Sequence, residues 1–233
     1  MWTHHFDREM GGKIIAVEGA DSSGKSTQAK LLARRLEAEG YRVRTMDFPQ
    51  YDSFFGRHVG KFLRGEYGTL DQVHPEVASL LFAFDRYGAA KTLRQWLDEG
   101  FIVVMNRYME SNMAHQGAKI AGEQERKDFL AWLYRLEVEQ LEIPQSDLVL
   151  YLHVPTDISQ RILGGRENKS YLKGKERDIN EADVDYQRRS VSTYLELCGV
   201  HPHWRRIECA SGGELLSVEE IHELVWSAVK REL

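Results

Sequence analysis

The stretch KIIAVEGADSSGKSTQAKLLARRLEAEG, residues 13–40, carries the pattern from which the fold is read. Its opening, Lys13 to Gly19, is a short apolar run with β-branched members ended by glycine, which predicts a buried strand. Its close sets Leu32, Leu36 and neighbouring alanines on one helical face and stops at Gly40. Between the two, Gly19, Ala20, Asp21, Ser22, Ser23, Gly24, Lys25 and Ser26, followed by Thr27, match the spacing G-x-x-x-x-G-K-[ST]. The physics of such a loop is specific. Glycines let backbone N–H groups turn inward, the following helix adds its positive end, and a lysine reaches the terminal phosphates. Ser26 is placed to offer its hydroxyl to Mg²⁺. This stretch therefore predicts a nucleotide, without naming a reaction.

Outward from it, short apolar runs alternate with longer amphipathic ones. YRVRTMDFP (41–49), FIVVMN (101–106), DLVLYLHV (147–154) and the weaker HWRRIECA (203–210) read as further strands. PEVASLLFAFDRYGAAKTLRQWLDEG (75–100) reads as a helix with Pro75 in its first turn. The closing helix opens on a capping box, Ser217 and Glu220, and repeats apolar residues at 221, 224, 225, 228 and 229. Alternating strands and helices predict an α/β protein, with five parallel strands and helices on both faces. One stretch breaks the rhythm: GGRENKSYLKGKERD (164–178) is polar, basic and punctuated by glycine, as a mobile flap would be. Residues 1–12 read as a flexible extension and 13–233 as a single domain.

The chain has 233 residues, 42% hydrophobic and 29% charged, with a formal net charge of −5. A mildly acidic balance argues against a surface that coats nucleic acid, so anion sites should be local. Two cysteines, Cys198 and Cys209, provide no disulfide framework and suit a reducing cytoplasm. No apolar run approaches the ~20 residues that cross a bilayer, and the polar start lacks a signal peptide's apolar core. His4 and His5 read as a solvated terminus.

Two further stretches bear on the phosphoryl acceptor. Phe82 and Arg86 stand four apart on one helical face, where ring and guanidinium could hold a nucleobase; a core role for Phe82 explains the spacing as well. Arg107 follows a predicted central strand, and in open parallel sheets ligands bind beyond the strands' carboxyl ends. Ser111, Asn112 and Gln116 come next at helical spacing, with hydroxyl and amide groups suited to a base edge.

In this order and at these distances, EGADSSGKSTQ, DFPQY, LLFAFDR, NRYMESN and RDINEADVDYQRRSVSTYLEL resemble the thymidylate kinases of the P-loop nucleoside-monophosphate kinase group. The resemblance implies a P-loop NTPase-type fold with a lid at about 164–178, ATP as donor with Mg²⁺, dTMP as acceptor, and a cytoplasmic homodimer. It implies that Phe82 stacks on thymine, Arg86 bonds its carbonyl edge, and Asn112 with Gln116 reads the base. Arg107 and Tyr51 would hold the acceptor phosphate, Phe48 and Pro49 would shape that wall, and Asp21 would accept from the 3′-hydroxyl. Arg161 would lie over adenine near Ala210 and Ser211. Some members carry an arginine within the phosphate loop and others carry basic residues in the lid. With Asp-Ser-Ser in the loop and Arg166, Lys169, Lys173, Lys175 and Arg177 in the flap, this chain resembles the second kind.

Two positions depart from the family pattern. Asn106 stands where aspartate precedes Arg-Tyr, so a metal held there through water would lose about 1–2 kcal/mol of charge-assisted bonding. His115 stands where many relatives carry tyrosine beside the sugar, which puts discrimination against ribonucleotides in question. Asp178 and Glu181 read as a capping box opening the helix after the flap. Cys198, His201, His203 and Cys209 lack a recognised zinc pattern. Two rivals remain. A deoxynucleoside kinase would need a carboxylate base just after the second strand, where only Asp47 is near and is expected to point elsewhere. A non-catalytic nucleotide binder is suggested by Asn106 alone. The apolar run VASLLFAF (77–84) is greasier than one buried helix face requires.

Overall fold

The computed structural model describes residues 11–163, 179–180 and 183–233. Five parallel strands form one sheet: β1 (Lys13–Gly19), β2 (Val43–Asp47), β3 (Ile102–Asn106), β4 (Leu148–His153) and β5 (Trp204–Glu208). Their spatial order is β2-β3-β1-β4-β5. Around them lie α1 (Lys25–Ala38), α2 (Phe54–Leu63), α3 (Pro75–Asp98), α4 (Met109–Gly117), α5 (Glu123–Tyr134), α6 (Thr156–Leu163), α7 (Val184–Val200) and α8 (Val218–Val229). A π-helical turn, Arg135–Gln140, continues α5.

Alternate residues of each strand feed opposite faces of the sheet, as a period of two requires. Ile15, Val17, Val104, Leu150 and Leu152 pack with Leu32 and Leu36 of α1 and Val225 of α8. Ile14, Ala16, Val103, Met105 and Val149 pack with Leu93 of α3 and Tyr194 and Leu197 of α7. Both faces are covered, so the central strands carry the near-continuous apolar runs seen in the sequence.

Topology then places the site. From β1 the chain passes to one side of the sheet, and from β3 it passes to the other, so neighbouring strands β1 and β3 flank the switch point. They are in register from Lys13 opposite Ile102 to Val17 opposite Asn106. The glycine loop leaves β1 and Arg107 leaves β3 at the same edge.

Where the structure differs from expectation, local physics explains it. α2 contains Gly56 and Gly60, poor helix formers that mask it in the sequence. A Cβ at Gly56 would come within 1.8 Å of the Gln50 carbonyl oxygen, so close approach to the preceding loop demands glycine. α5 and a small hairpin, β6 (Ala210–Ser211) with β7 (Glu214–Leu215), also lie outside the expected set. α7 opens at Val184, where Asp183 accepts from the Tyr186 N–H at 2.8 Å. Asp178, Glu181 and the expected flap at 164–178 lie outside the described residues. In α8 the capping box is present, but Trp226 is buried where Leu224 is exposed.

Candidate active site

The loop after β1 is shaped by contacts that tolerate no side chain. A Cβ at Gly19 would come 2.8 Å from the Leu152 carbonyl oxygen and 2.5 Å from Ser23 Oγ. Gly24, with φ 84°, is the N-cap of α1 and supplies no side-chain acceptor. The first N–H groups of α1 are therefore left for an anion. Lys25 Nζ donates to the Ala20 carbonyl at 2.6 Å. Ser22 and Ser23 are buried, and neither Oγ has a hydrogen-bond partner.

Arg107 turns out of β3 with φ 65°. Its Nη2 donates to Asp21 Oδ1 at 2.7 Å, and its Nη1 reaches the Gly19 carbonyl at 3.3 Å and Ser111 Oγ at 3.1 Å. Burial disfavours the charged guanidinium, yet Asp21, Tyr194, Glu18 and Tyr51 together outweigh it and hold the pKa above its ordinary value. Two cations thus sit on consecutive carbonyls of the glycine loop. His115 Nε2 lies 3.2 Å from Arg107 Nη1 and Nδ1 lies 3.1 Å from the Tyr186 hydroxyl. Burial, reinforced by Arg107, lowers the His115 pKa to about 3, so the ring stays neutral.

One cleft of about 350 Å³ runs from this loop to α3 and α4. At one end are Asp21, Ser22, Gly24, Lys25, Ser26 and Thr27. Phe48, Pro49 and Tyr51 form a wall, and Asn106, Arg107 and Ser111 line the floor. Phe82, Arg86, Asn112 and Gln116 line the far end. Phe82 is half-buried and meets Phe62 edge-on at 6.0 Å, so it both joins the core and lines the cleft. Buried Asn112 Oδ1 and both polar atoms of Gln116 have no hydrogen-bond partner. Such atoms are costly unless something pairs with them.

Asn106 Nδ2 donates to Ser26 Oγ at 3.0 Å, and its Oδ1 has no partner. Hydroxyl and amide oxygens side by side suit a hard cation that retains water and phosphate ligands. Asp47 pairs in register with Asn106 and lines the cleft, contrary to the expectation that it points away, because it is the last residue of β2 and its strand ends at the same edge. Arg161 is not among the cleft's lining residues. It lies against the hairpin, with Nη2 donating to the Gly213 carbonyl at 2.7 Å. Arg166 lies outside the described residues.

A model of the thymidylate kinase family matches residues 17–222, spanning the loop, the cleft walls and the start of α8. The chain belongs to the thymidylate kinase family. Thymidylate kinase from Mycobacterium tuberculosis is 33% identical over 186 residues, covering 79% of this chain and 85% of that one. Probable thymidylate kinase from Thermococcus gammatolerans is 31% identical over 227 residues, covering 95% and 98%. Human thymidylate kinase is 27% identical over 215 residues, covering 91% and 87%. A solved structure of thymidylate kinase from Candida albicans shares the fold, with TM-score 0.70 at 20% identity over 95% of this chain and 92% of that one.

Beneath the residues given roles by the resemblance to the thymidylate kinase family lies a second layer, of which Glu18 and Asp85 fall within the quoted motifs and Glu137 outside them. Glu18 is fully buried at the end of β1. Its Oε1 accepts from the N–H groups of Tyr108 and Ser111, and its Oε2 accepts from Ser111 Oγ at 2.6 Å and the Tyr194 hydroxyl at 2.8 Å. It satisfies the N-terminal turn of α4, which has no side-chain cap of its own. Asp85 accepts from the Gln50 N–H and from Ser53 Oγ, both at 2.8 Å, and so ties the 48–51 wall to α3. Glu137 accepts from Arg86 Nε at 2.6 Å and Nη2 at 2.5 Å. A carboxylate inside an apolar strand or helix run is the signal that could have found Glu18 and Asp85; Glu137 has none.

Proposed function

We propose that the chain transfers the γ-phosphoryl group of MgATP to the 5′-phosphate of dTMP, giving ADP and dTDP. The observation that carries this is the polarity of the cleft: Lys25 and Arg107 on adjacent loop carbonyls at one end, and Phe82, Arg86, Asn112 and Gln116 at the other. Family membership fits the same reading.

The acceptor phosphate has its second pKa near 6, so at neutral pH it is mostly a dianion and needs no general base. The work is to align two polyanions and to stabilise charge on the group in flight. The N–H groups of the loop and Lys25 would grip the donor's phosphates. Arg107, its fork set by Asp21 and Ser111, would hold the acceptor phosphate with Tyr51, against the wall of Phe48 and Pro49. Ser26 and, through water, Asn106 would hold Mg²⁺, which when bound supplies charge neutralisation between the phosphates. Phe82 would stack on the base, and Asp21 would accept from the sugar's 3′-hydroxyl. Arg161 and the hairpin would bracket adenine, while the segment 164–178, with Arg166 among its cations, would serve as the lid of one kinase unit spanning 13–233. Small nucleotides, rather than nucleic acid or membrane, would be its partners, in a cytoplasmic setting.

A panel of nucleoside monophosphates with MgATP tests this. The highest kcat/KM should fall on dTMP, and thymidine itself should not be phosphorylated. Transfer to thymidine would favour a deoxynucleoside kinase, for which Asp47 in the cleft is a candidate base. Absence of dTMP-dependent ADP formation would leave only a nucleotide binder.

Apolar side chains remain exposed along α2 and α3: Phe54 at 63%, Val77 at 54% and Tyr87 at 48%. Positions 77, 80, 84 and 87 share one face of α3, and Phe84 stacks on Phe55 of α2 at 5.4 Å. We propose that this continuous apolar face pairs with its own copy to form a homodimer.

A further inference from the structure

Glu137 sits on the π-helical turn after α5, fully buried, in a stretch of sequence without any nucleotide-binding motif. π-Helical turns interrupt regular helices at a cost and recur at functional sites. The Glu137 carboxylate accepts from three donors on two pocket-lining residues. Arg86 donates Nε to Oε2 and Nη2 to Oε1, and Asn112 donates Nδ2 to Oε1 at 2.9 Å. Asn112 Nδ2 also donates to the Ser79 carbonyl at 3.2 Å. Both amide hydrogens of Asn112 are thereby committed inward, and its buried Oδ1 is left as a bare acceptor. Arg86 offers only donors, and its fork is held at one edge with Nη1 near the Tyr108 carbonyl at 3.4 Å.

We propose that Glu137 is the positioning residue that sets the hydrogen-bond polarity of the base end of the cleft. Resting on the dTMP kinase reading, the inference specifies how that site chooses its base. Because the carboxylate can only accept, it fixes the orientation in which Arg86 presents its donors and forces Asn112 to present an acceptor. A pyrimidine with a 4-keto group and an N3–H complements that arrangement. A 4-amino pyrimidine, with a donor at position 4 and an acceptor at N3, opposes it at both points.

Glu137→Gln is the test, because it keeps the shape but replaces one acceptor oxygen by a donor. With an N–H facing Asn112 Nδ2, the Asn112 amide is driven to turn over and present its donor to the cleft. We expect the KM for dTMP to rise about tenfold while kcat stays within about threefold and the KM for MgATP is unchanged. The ratio of kcat/KM for dTMP over dCMP should fall by about tenfold or more. An unchanged ratio overturns the inference, as does a parallel rise in the KM values of dTMP and MgATP, which would mark general loosening. If the variant does not fold, a crystal structure of the wild-type protein with dTMP decides. Retention of all three bonds to Glu137, with Asn112 Oδ1 on N3–H, supports the inference, and release of Arg86 from Glu137 overturns it. Failure of the wild type to turn over dTMP is a separate result that removes the functional reading itself.

Discussion

Asn106 is a single-atom departure with a measurable consequence. It retains an acceptor oxygen beside Ser26 but carries no charge, while Asp47 stands opposite it in register on β2. Asn106→Asp adds a carboxylate at this point, and hydrogen bonds to ions are roughly twice as strong as neutral ones. The Mg²⁺ concentration for half-maximal rate should drop by about tenfold, corresponding to ~1.4 kcal/mol. A titration of rate against Mg²⁺ at saturating nucleotides reads this directly, and an unchanged midpoint places Asn106 away from the metal. His115 is the other departure. Its neutral ring joins Arg107 to Tyr186, which lies in the first turn of α7. The residue beside the expected sugar site therefore also braces the arginine expected to hold the acceptor phosphate.

Elements meet at this site through caps and carboxylates rather than through apolar packing alone. Ser53 illustrates the arrangement: its Oγ accepts from the Gly56 N–H as the N-cap of α2 and donates to Asp85 of α3. Ser53→Ala removes both bonds. Unfolding in urea should show a loss of about 1–2 kcal/mol, and the KM for dTMP should rise, because Asp85 also anchors Gln50 behind the 48–51 wall. A stability loss with unchanged KM would confine Ser53 to helix capping. The strands and the long helices α1, α3 and α8 were legible because their apolar spacing is strong. α2 was hidden by its two glycines. α5 lies outside the expected set, and its continuation Arg135–Gln140 is a π turn rather than a regular one, with no signature in RLEVEQ.

At the scale of the whole molecule, the exposed face of α2 and α3 predicts the assembly. Solution scattering should return twice the chain mass, and Phe54→Glu with Tyr87→Glu should return the single mass. A wild-type monomer refutes the pairing. A second prediction concerns pH. Burial, and then the charge of Glu18, raise the Glu110 pKa from 4.5 to about 8. Native Glu110 thus retains a proton that the unfolded chain gives up, so this contribution is full below pH 4.5 and is lost as pH rises to about 8. Glu110→Gln, a permanently neutral isostere, should gain stability relative to the wild type across that window, as read from urea midpoints at pH 5 and 8.5.

The chain's order of residues by itself determined the α/β sheet, the phosphate loop and the direction in which Arg107 leaves its strand. These follow from local spacing, glycine placement and the period of apolar residues, which act over a few residues at a time. Tertiary structure alone decided that Glu18 caps α4, that Asp85 anchors the wall and that Glu137 orients Arg86 and Asn112. Each of those contacts joins residues 25 or more positions apart. An apolar run around Glu18 or Asp85 hints at burial without naming a partner, and Glu137 in RLEVEQ looks the same in sequence whether it faces water or a buried guanidinium. Only the folded chain, by excluding water, makes the difference between them large.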